Sequence, residues 1–146
     1  MIVYLIGQIS LKEPETLRWR KYVSKILGTN EKIEVYNPFD EWILKQYKDK
    51  SDDEIPNLEV IVQRTIRSVL KSDIGILNLT LYDQDRPLIG TLFEIAYYLT
   101  HPEKTLIAFC SDKETNPYVK NMFIQRAVST WCKNENEACE IVLNYF

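Results

Sequence analysis

One side chain combines a reactive type with a suggestive setting: Glu94, in the run Gly90-Thr91-Leu92-Phe93-Glu94. A glycine opening a helix lets backbone approach a ligand closely, and the unpaired N–H groups there favour negative charge. A carboxylate in that first turn lies near the mouth of a cleft. There it can attack an anomeric carbon or stabilise an oxocarbenium ion. The same spacing has a purely structural reading. Thr91-x-x-Glu94 matches a capping box, and acidic residues suit the positive end of the helix dipole.

The elements that must hold this carboxylate follow from hydrophobic patterning. Residues 2–6 form a short, wholly apolar run, as a strand covered on both faces does. A helix is expected from about 14 to 27, with Leu17, Val23, Ile26 and Leu27 inward and Gly28 as its stop. A second strand fits 32–36. Residues 39–53, with Trp42, Ile43 and Tyr47, read as a loop carrying a short helix. Pro56 opens a longer helix to about 71, with Val60, Ile61, Ile66, Val69 and Leu70 as its buried stripe. Strand 74–79, helix 90–100, strand 105–110, helix 117–125, strand 127–131 and helix 134–145 complete the series. Strands alternating with helices imply parallel pairing. The expectation is one doubly wound (flavodoxin- or Rossmann-like) α/β domain over residues 1–146, with a five-stranded, mainly parallel sheet.

In such sheets ligands bind beyond the carboxyl ends of the strands. Gly7, Gln8 and Ser10 follow the first strand, Tyr36, Asn37 and Phe39 the second, and loop 80–89 the third. The aromatics Tyr36, Phe39 and Trp42 suit stacking on a base or packing of a loop on the sheet edge.

Composition narrows the function. The 146 residues carry 18 basic and 21 acidic side chains, a net charge of −3. That balance gives no reason to expect a nucleic acid polymer as partner. No apolar run approaches the roughly 20 residues that cross a bilayer, so no membrane role is expected. The start lacks a basic region and a cleavage site, which points to a cytoplasmic protein. The three cysteines, Cys110, Cys132 and Cys139, have no paired spacing and only one histidine beside them, so they read as reduced thiols rather than a zinc site or disulfides. No metal or cofactor is expected.

Three segments together resemble the nucleoside 2-deoxyribosyltransferase-like superfamily, which includes the 2′-deoxynucleoside 5′-phosphate N-hydrolases. They are the opening strand Val3-Tyr4-Leu5-Ile6-Gly7, the strand entry Ser72-Asp73-Ile74, and the block Arg86-Pro87-Leu88-Ile89-Gly90-Thr91-Leu92-Phe93-Glu94-Ile95-Ala96-Tyr97. The late Asn116-Pro117-Tyr118 loop falls in the expected order. The resemblance implies cleavage or transfer at the N-glycosidic bond of a nucleoside or nucleotide, with Glu94 as nucleophile. It implies that Tyr4 positions the Glu94 carboxylate, although a core tyrosine is an equal reading of that residue. It also implies a homodimer or larger homo-oligomer, with Asn121 lent to a neighbouring subunit's site unless it is simply a solvated helix residue. Contacts to substrate are expected from Gly7, Gln8, Asn37, Phe39, Asp85, Arg86, Gly90, Thr91 and Asn121.

The chain departs from the family's pattern at Thr65 and Leu88, where the family places an Asp and an Asp or Ser respectively. Asp83, Asp85 or Arg86 would then re-supply polar contacts. Two further readings stand beside the enzyme: a nucleotide-binding or sensor module of the same fold, and cleavage of an NAD-like ribosyl bond. Arg64 and Arg67 suit an anion or surface ion pairs, Asp73 suits a turn, and His101 suits the negative end of a helix dipole.

Overall fold

The structure, a computed structural model, describes residues 1–10, 12–39, 58–85 and 87–146. Along the chain the described elements are β1 (Ile2–Gly7), α1 (Glu15–Leu27), β2 (Glu34–Tyr36), α2 (Leu58–Lys71), β3 (Ile74–Asn78), α3 (Ile89–Thr100), β4 (Thr105–Phe109), α4 (Met122–Ala127), β5 (Thr130–Cys132) and α5 (Glu135–Tyr145). The strands form one sheet in the order β2-β1-β3-β4-β5, and every pairing is parallel. The chain thus has the doubly wound α/β fold that its patterning implies.

Alternation within the strands separates two cores. Val3 and Leu5 of β1 join Ile74, Ile76, Ile107 and Phe109 under α1 and α5. Tyr4 and Ile6 turn to the other face with Leu77, Leu106 and Ala108, under α2, α3 and α4. Both faces are covered, so the strands are apolar throughout rather than alternating.

The anchoring of α3 matters most for Glu94. One turn beyond it, the buried Tyr98 hydroxyl meets the Ser72 hydroxyl at 2.6 Å. The Tyr98 ring lies over Gly75 of β3, where a Cβ would stand 2.7 Å from its Cζ. A glycine in the middle of a central strand makes room for that ring, and the ring fixes the rotation of α3.

Several boundaries differ from the sequence expectations. The second strand begins at Glu34, because residues 30–33 form a turn in which the Ile33 N–H donates to Asn30 O at 2.9 Å. The late helix is Met122–Ala127 rather than 117–125, because Asn121 is its N-cap and accepts from the Phe123 and Ile124 N–H groups. The fifth strand moves accordingly to Thr130–Cys132. On α2, Val69 is buried, but Ile66, at the cavity, and Leu70 are 45% and 46% exposed. Trp42, Ile43, Tyr47 and Pro56 lie outside the described residues. All three cysteines are free and buried, and burial pushes the Cys110 and Cys139 thiols up to about 12.

Candidate active site

The chain leaves β1 to build β2 on one side and β3 on the other, so the strand order switches between β1 and β3. Beyond the carboxyl ends of strands at such a point a crevice opens, the usual ligand position in this architecture. A cavity of about 680 Å³ lies at the ends of β1, α2 and α3. Gln8, Thr65, Thr91 and Glu94 are among its polar lining residues, while Ile66, Val69 and Phe93 supply apolar wall.

Tyr4 is fully buried beside this cavity, and its hydroxyl donates to Glu94 Oε1 at 2.7 Å. Tyr4 is the third residue of β1 rather than its last, paired with Tyr36 and Gly75 across the sheet. Its side chain points to the α3 face, as residue parity in a strand requires. The Thr65 side chain of α2 lines the cavity near the Tyr4 hydroxyl. The Tyr4 hydrogen bond orients one carboxylate oxygen of Glu94, a residue of the cavity lining.

Glu94 itself stands in the second turn of α3, because the helix begins at Ile89. The N-cap is Leu88, with no side-chain cap hydrogen bond, so Thr91 and Glu94 do not form a capping box. Burial raises the Glu94 carboxyl from 4.5 to about 7, against the opposing pull of the Tyr4 hydrogen bond and the Arg20 charge. Desolvation, with the Glu94 charge added to it, pushes the Tyr4 phenol far above its ordinary range. Tyr4 is therefore a donor at any pH where the protein works.

Arg20 had no place in the sequence expectations. It is completely buried on α1, and its guanidinium donates to Gly7 O at 2.9 Å, to Gln8 O at 3.1 Å and to Thr16 O. Burial lowers it from 12.5 to about 10, so it remains a cation at neutrality, and it interacts with both Glu94 and Tyr4. The signal was present: Arg20 shares the buried stripe of Thr16, Val23 and Leu27 at helical spacing, and a basic residue on an inward stripe needs partners.

Six of the expected residues converge. Gly7, Gln8, Gly90, Thr91 and Glu94 line the cavity, and Tyr4 supports Glu94 from behind. Gln8 lines it while spending its amide on the loop after β3: Oε1 accepts from the Tyr82 and Asp83 N–H groups, and Nε2 donates to Asp83 O. Asn37 and Phe39 are not brought there. Asn37 Oδ1 accepts from the Phe39 N–H at 3.0 Å and closes a local turn after β2. Asp85 is exposed and donates its own N–H to Asp83 Oδ1. Asn121 uses its side-chain oxygen to cap α4. Arg86 lies outside the described residues. Asp83 accepts from Ser10 Oγ at 2.8 Å, and Arg64 and Arg67 are exposed away from the cavity. Asp73 accepts from the Ile2 N–H at 2.7 Å and His101 closes the end of α3, both far from the crevice. Among the described residues no group of three or more His, Cys, Asp or Glu is placed to hold a metal, and no helix is long and apolar enough to cross a membrane.

No protein-family model and no curated protein matches the sequence. Solved structures do match over the full chain. A 2-deoxyribosyltransferase of Bacillus psychrosaccharolyticus aligns with a TM-score of 0.64 at 18% identity, covering 100% of this chain and 93% of that one. A 2-deoxyribosyltransferase of Leishmania mexicana aligns at 0.61 and 15%, covering 99% of each. A CMP N-glycosidase of Clostridium botulinum aligns at 0.55 and 17%, covering 100% of each. The chain therefore shares the fold of these nucleoside 2-deoxyribosyltransferase-like proteins.

Proposed function

We propose that the protein cleaves or transfers the N-glycosidic bond of a nucleoside or nucleotide, with Glu94 as nucleophile. The observation that carries this reading is the Tyr4–Glu94 hydrogen bond of 2.7 Å at a cavity beyond the switch between β1 and β3. The Glu94 carboxylate attacks C1′, the C1′–N bond breaks, and the base leaves with the bonding pair. A glycosyl ester on Glu94, or the oxocarbenium ion it stabilises, then meets either a second base or water. Attack at C1′ returns the carboxylate, and water delivers a hydroxyl to the sugar and one proton to solvent. Two displacements on opposite faces would retain the configuration at C1′. Tyr4 holds the carboxylate so that the free oxygen faces the sugar. The apolar wall from Ile66, Val69 and Phe93 offers a surface for a base. That the fold is shared with two deoxyribosyltransferases and an N-glycosidase supports the same reading.

Leu88 is buried in the cavity wall and Thr65 lines it, both without a charge to offer a substrate, which favours a second reading: a module of this fold that binds a nucleotide without turnover. One experiment separates them. Purified protein is incubated with a panel of nucleosides, 5′-monophosphates and NAD-like dinucleotides, with and without an acceptor base, and free base is followed by chromatography. The enzyme reading requires release that Glu94→Ala reduces at least roughly a thousandfold. Acceptor dependence marks a transferase. Binding without release from any member of the panel would leave the module.

A further inference from the structure

Behind the proposed nucleophile stands a charge that no reading of Glu94 and Tyr4 alone requires. Arg20 belongs to α1, on the opposite face of the sheet from α3. Its guanidinium reaches the end of β1, where it meets the carbonyls of Gly7 and Gln8, two residues that line the cavity. The strand end it meets is tightly packed: a Cβ on Gly7 would stand 2.7 Å from Asn78 O and 3.3 Å from Trp19 Cζ2. Arg20 is completely buried, and its Nε is without a hydrogen-bond partner among the described residues. A buried guanidinium with one donor unsatisfied is a costly brace for carbonyls that a neutral donor could hold. What a neutral donor lacks is the positive charge, and the fork that reaches several carbonyls at once belongs to arginine rather than lysine.

We propose that Arg20 is a positioning residue of the Glu94 site, holding the Gly7 and Gln8 carbonyls in place and setting a buried positive charge behind the Tyr4–Glu94 pair so that Glu94 presents an ionised carboxylate to the substrate. The proposal rests on the N-glycosidic reading for its catalytic meaning, and its electrostatic content is measurable without turnover. The groups that act on Glu94 are Tyr4 from β1, Arg20 from α1 and Tyr98 on its own helix; Thr65 of α2 and Tyr97 line the same cavity, and Tyr82 acts on Arg20 from the loop after β3. Among them Arg20 is the cation, and its charge opposes the burial that raises the Glu94 carboxyl.

The test is carbon-13 NMR of protein labelled at the glutamate side-chain carboxyl carbon, with Glu94 assigned by its loss in Glu94→Gln. Arg20→Met should move the Glu94 titration midpoint upward by about one pH unit, whereas Arg20→Lys should leave it near the wild-type value. In turnover, Arg20→Met should lower kcat/KM roughly fivefold at pH 7, with the deficit closing toward pH 9. A merely structural brace would depress the rate equally across pH and leave the midpoint where it was, and that result would overturn the proposal. Should Arg20→Met fail to fold, reciprocity supplies the second measurement. In wild-type protein the nitrogen-15 resonance of Arg20 Nε should follow the Glu94 titration, and in Glu94→Gln it should not. An Arg20 signal indifferent to Glu94 in folded wild-type protein would sink the idea. If the titrations behave as expected while no substrate releases base, the N-glycosidic reading fails and the Arg20–Glu94 coupling stands.

Discussion

Glu94 is asked to be both buried and charged, and the two demands conflict. Its carboxyl rises from 4.5 to about 7 through desolvation, so the folded protein binds a proton there that the unfolded chain releases. Ionising Glu94 therefore costs folding stability as pH climbs from about 4.5 to about 7, and the cost is constant above that. Glu94→Gln should consequently be more stable than wild type at pH 8, by about 3 kcal/mol, with the gain gone by pH 4. Urea melts across pH would show it, and equal stability at pH 8 would contradict the burial of the charge. The same titration sets the sign of activity. A nucleophilic carboxylate should give kcat/KM that rises with pH through an acid limb near 7 and falls on acidification. Tyr4→Phe removes the 2.7 Å donor to Glu94 while leaving the ring in the core, so it should lower kcat by roughly 10–100-fold and raise the acid limb.

At the scale of elements, the site depends on how tightly the end of β1 is packed. Gly7 adopts φ +156°, and a Cβ there would press on the Asn78 carbonyl of β3. That carbonyl belongs to a hydrogen-bonded strand and cannot retreat without breaking its register with β1. Gly7→Ala should therefore cost roughly 2–3 kcal/mol in denaturant melts and reduce base release disproportionately, because Gln8 and Arg20 both anchor to this turn. A neutral Gly7→Ala would mean that β1 and β3 can separate more easily than their pairing suggests. The loop after β3 is held by the same turn, through the Gln8 amide.

On the scale of the whole molecule, one side of the sheet carries an apolar surface. Phe93 is 76% exposed, Met122 74%, Phe123 64% and Ile89 59%, and α3 packs directly against α4. Val62 and Ile66 of α2 continue this surface across the cavity mouth. Large contiguous apolar patches on small domains are covered by partners. A second copy of the chain seated on α3 and α4 is our proposal for the expected homo-oligomer. Sedimentation velocity should show a species larger than one chain, which Met122→Glu combined with Phe123→Glu converts to the monomer. A monomer at all concentrations would remove this explanation of the patch.

Much of this protein is determined by local pattern. Continuous apolar runs bounded by polar turns are enough for β1, β3 and β4, because a strand covered on both faces can tolerate little else. The same logic placed Glu94 beside the carboxyl ends of the strands, and strand parity puts Tyr4 on one face with Ile6, while the packing of the elements is what turns that face toward α3. What local pattern could not decide is set by contacts between distant segments. Thr91 and Glu94 spell a capping box, yet the helix starts earlier because packing of Leu88 and Tyr98 sets its entry, not the cap. Asn121 looks like a helix residue and is a cap. Asn37 and Phe39 follow a strand end but close a turn on themselves. Arg20 falls on the inward stripe of α1 by its spacing, but only the tertiary structure supplies the Gly7 and Gln8 carbonyls that make burial of a guanidinium tolerable.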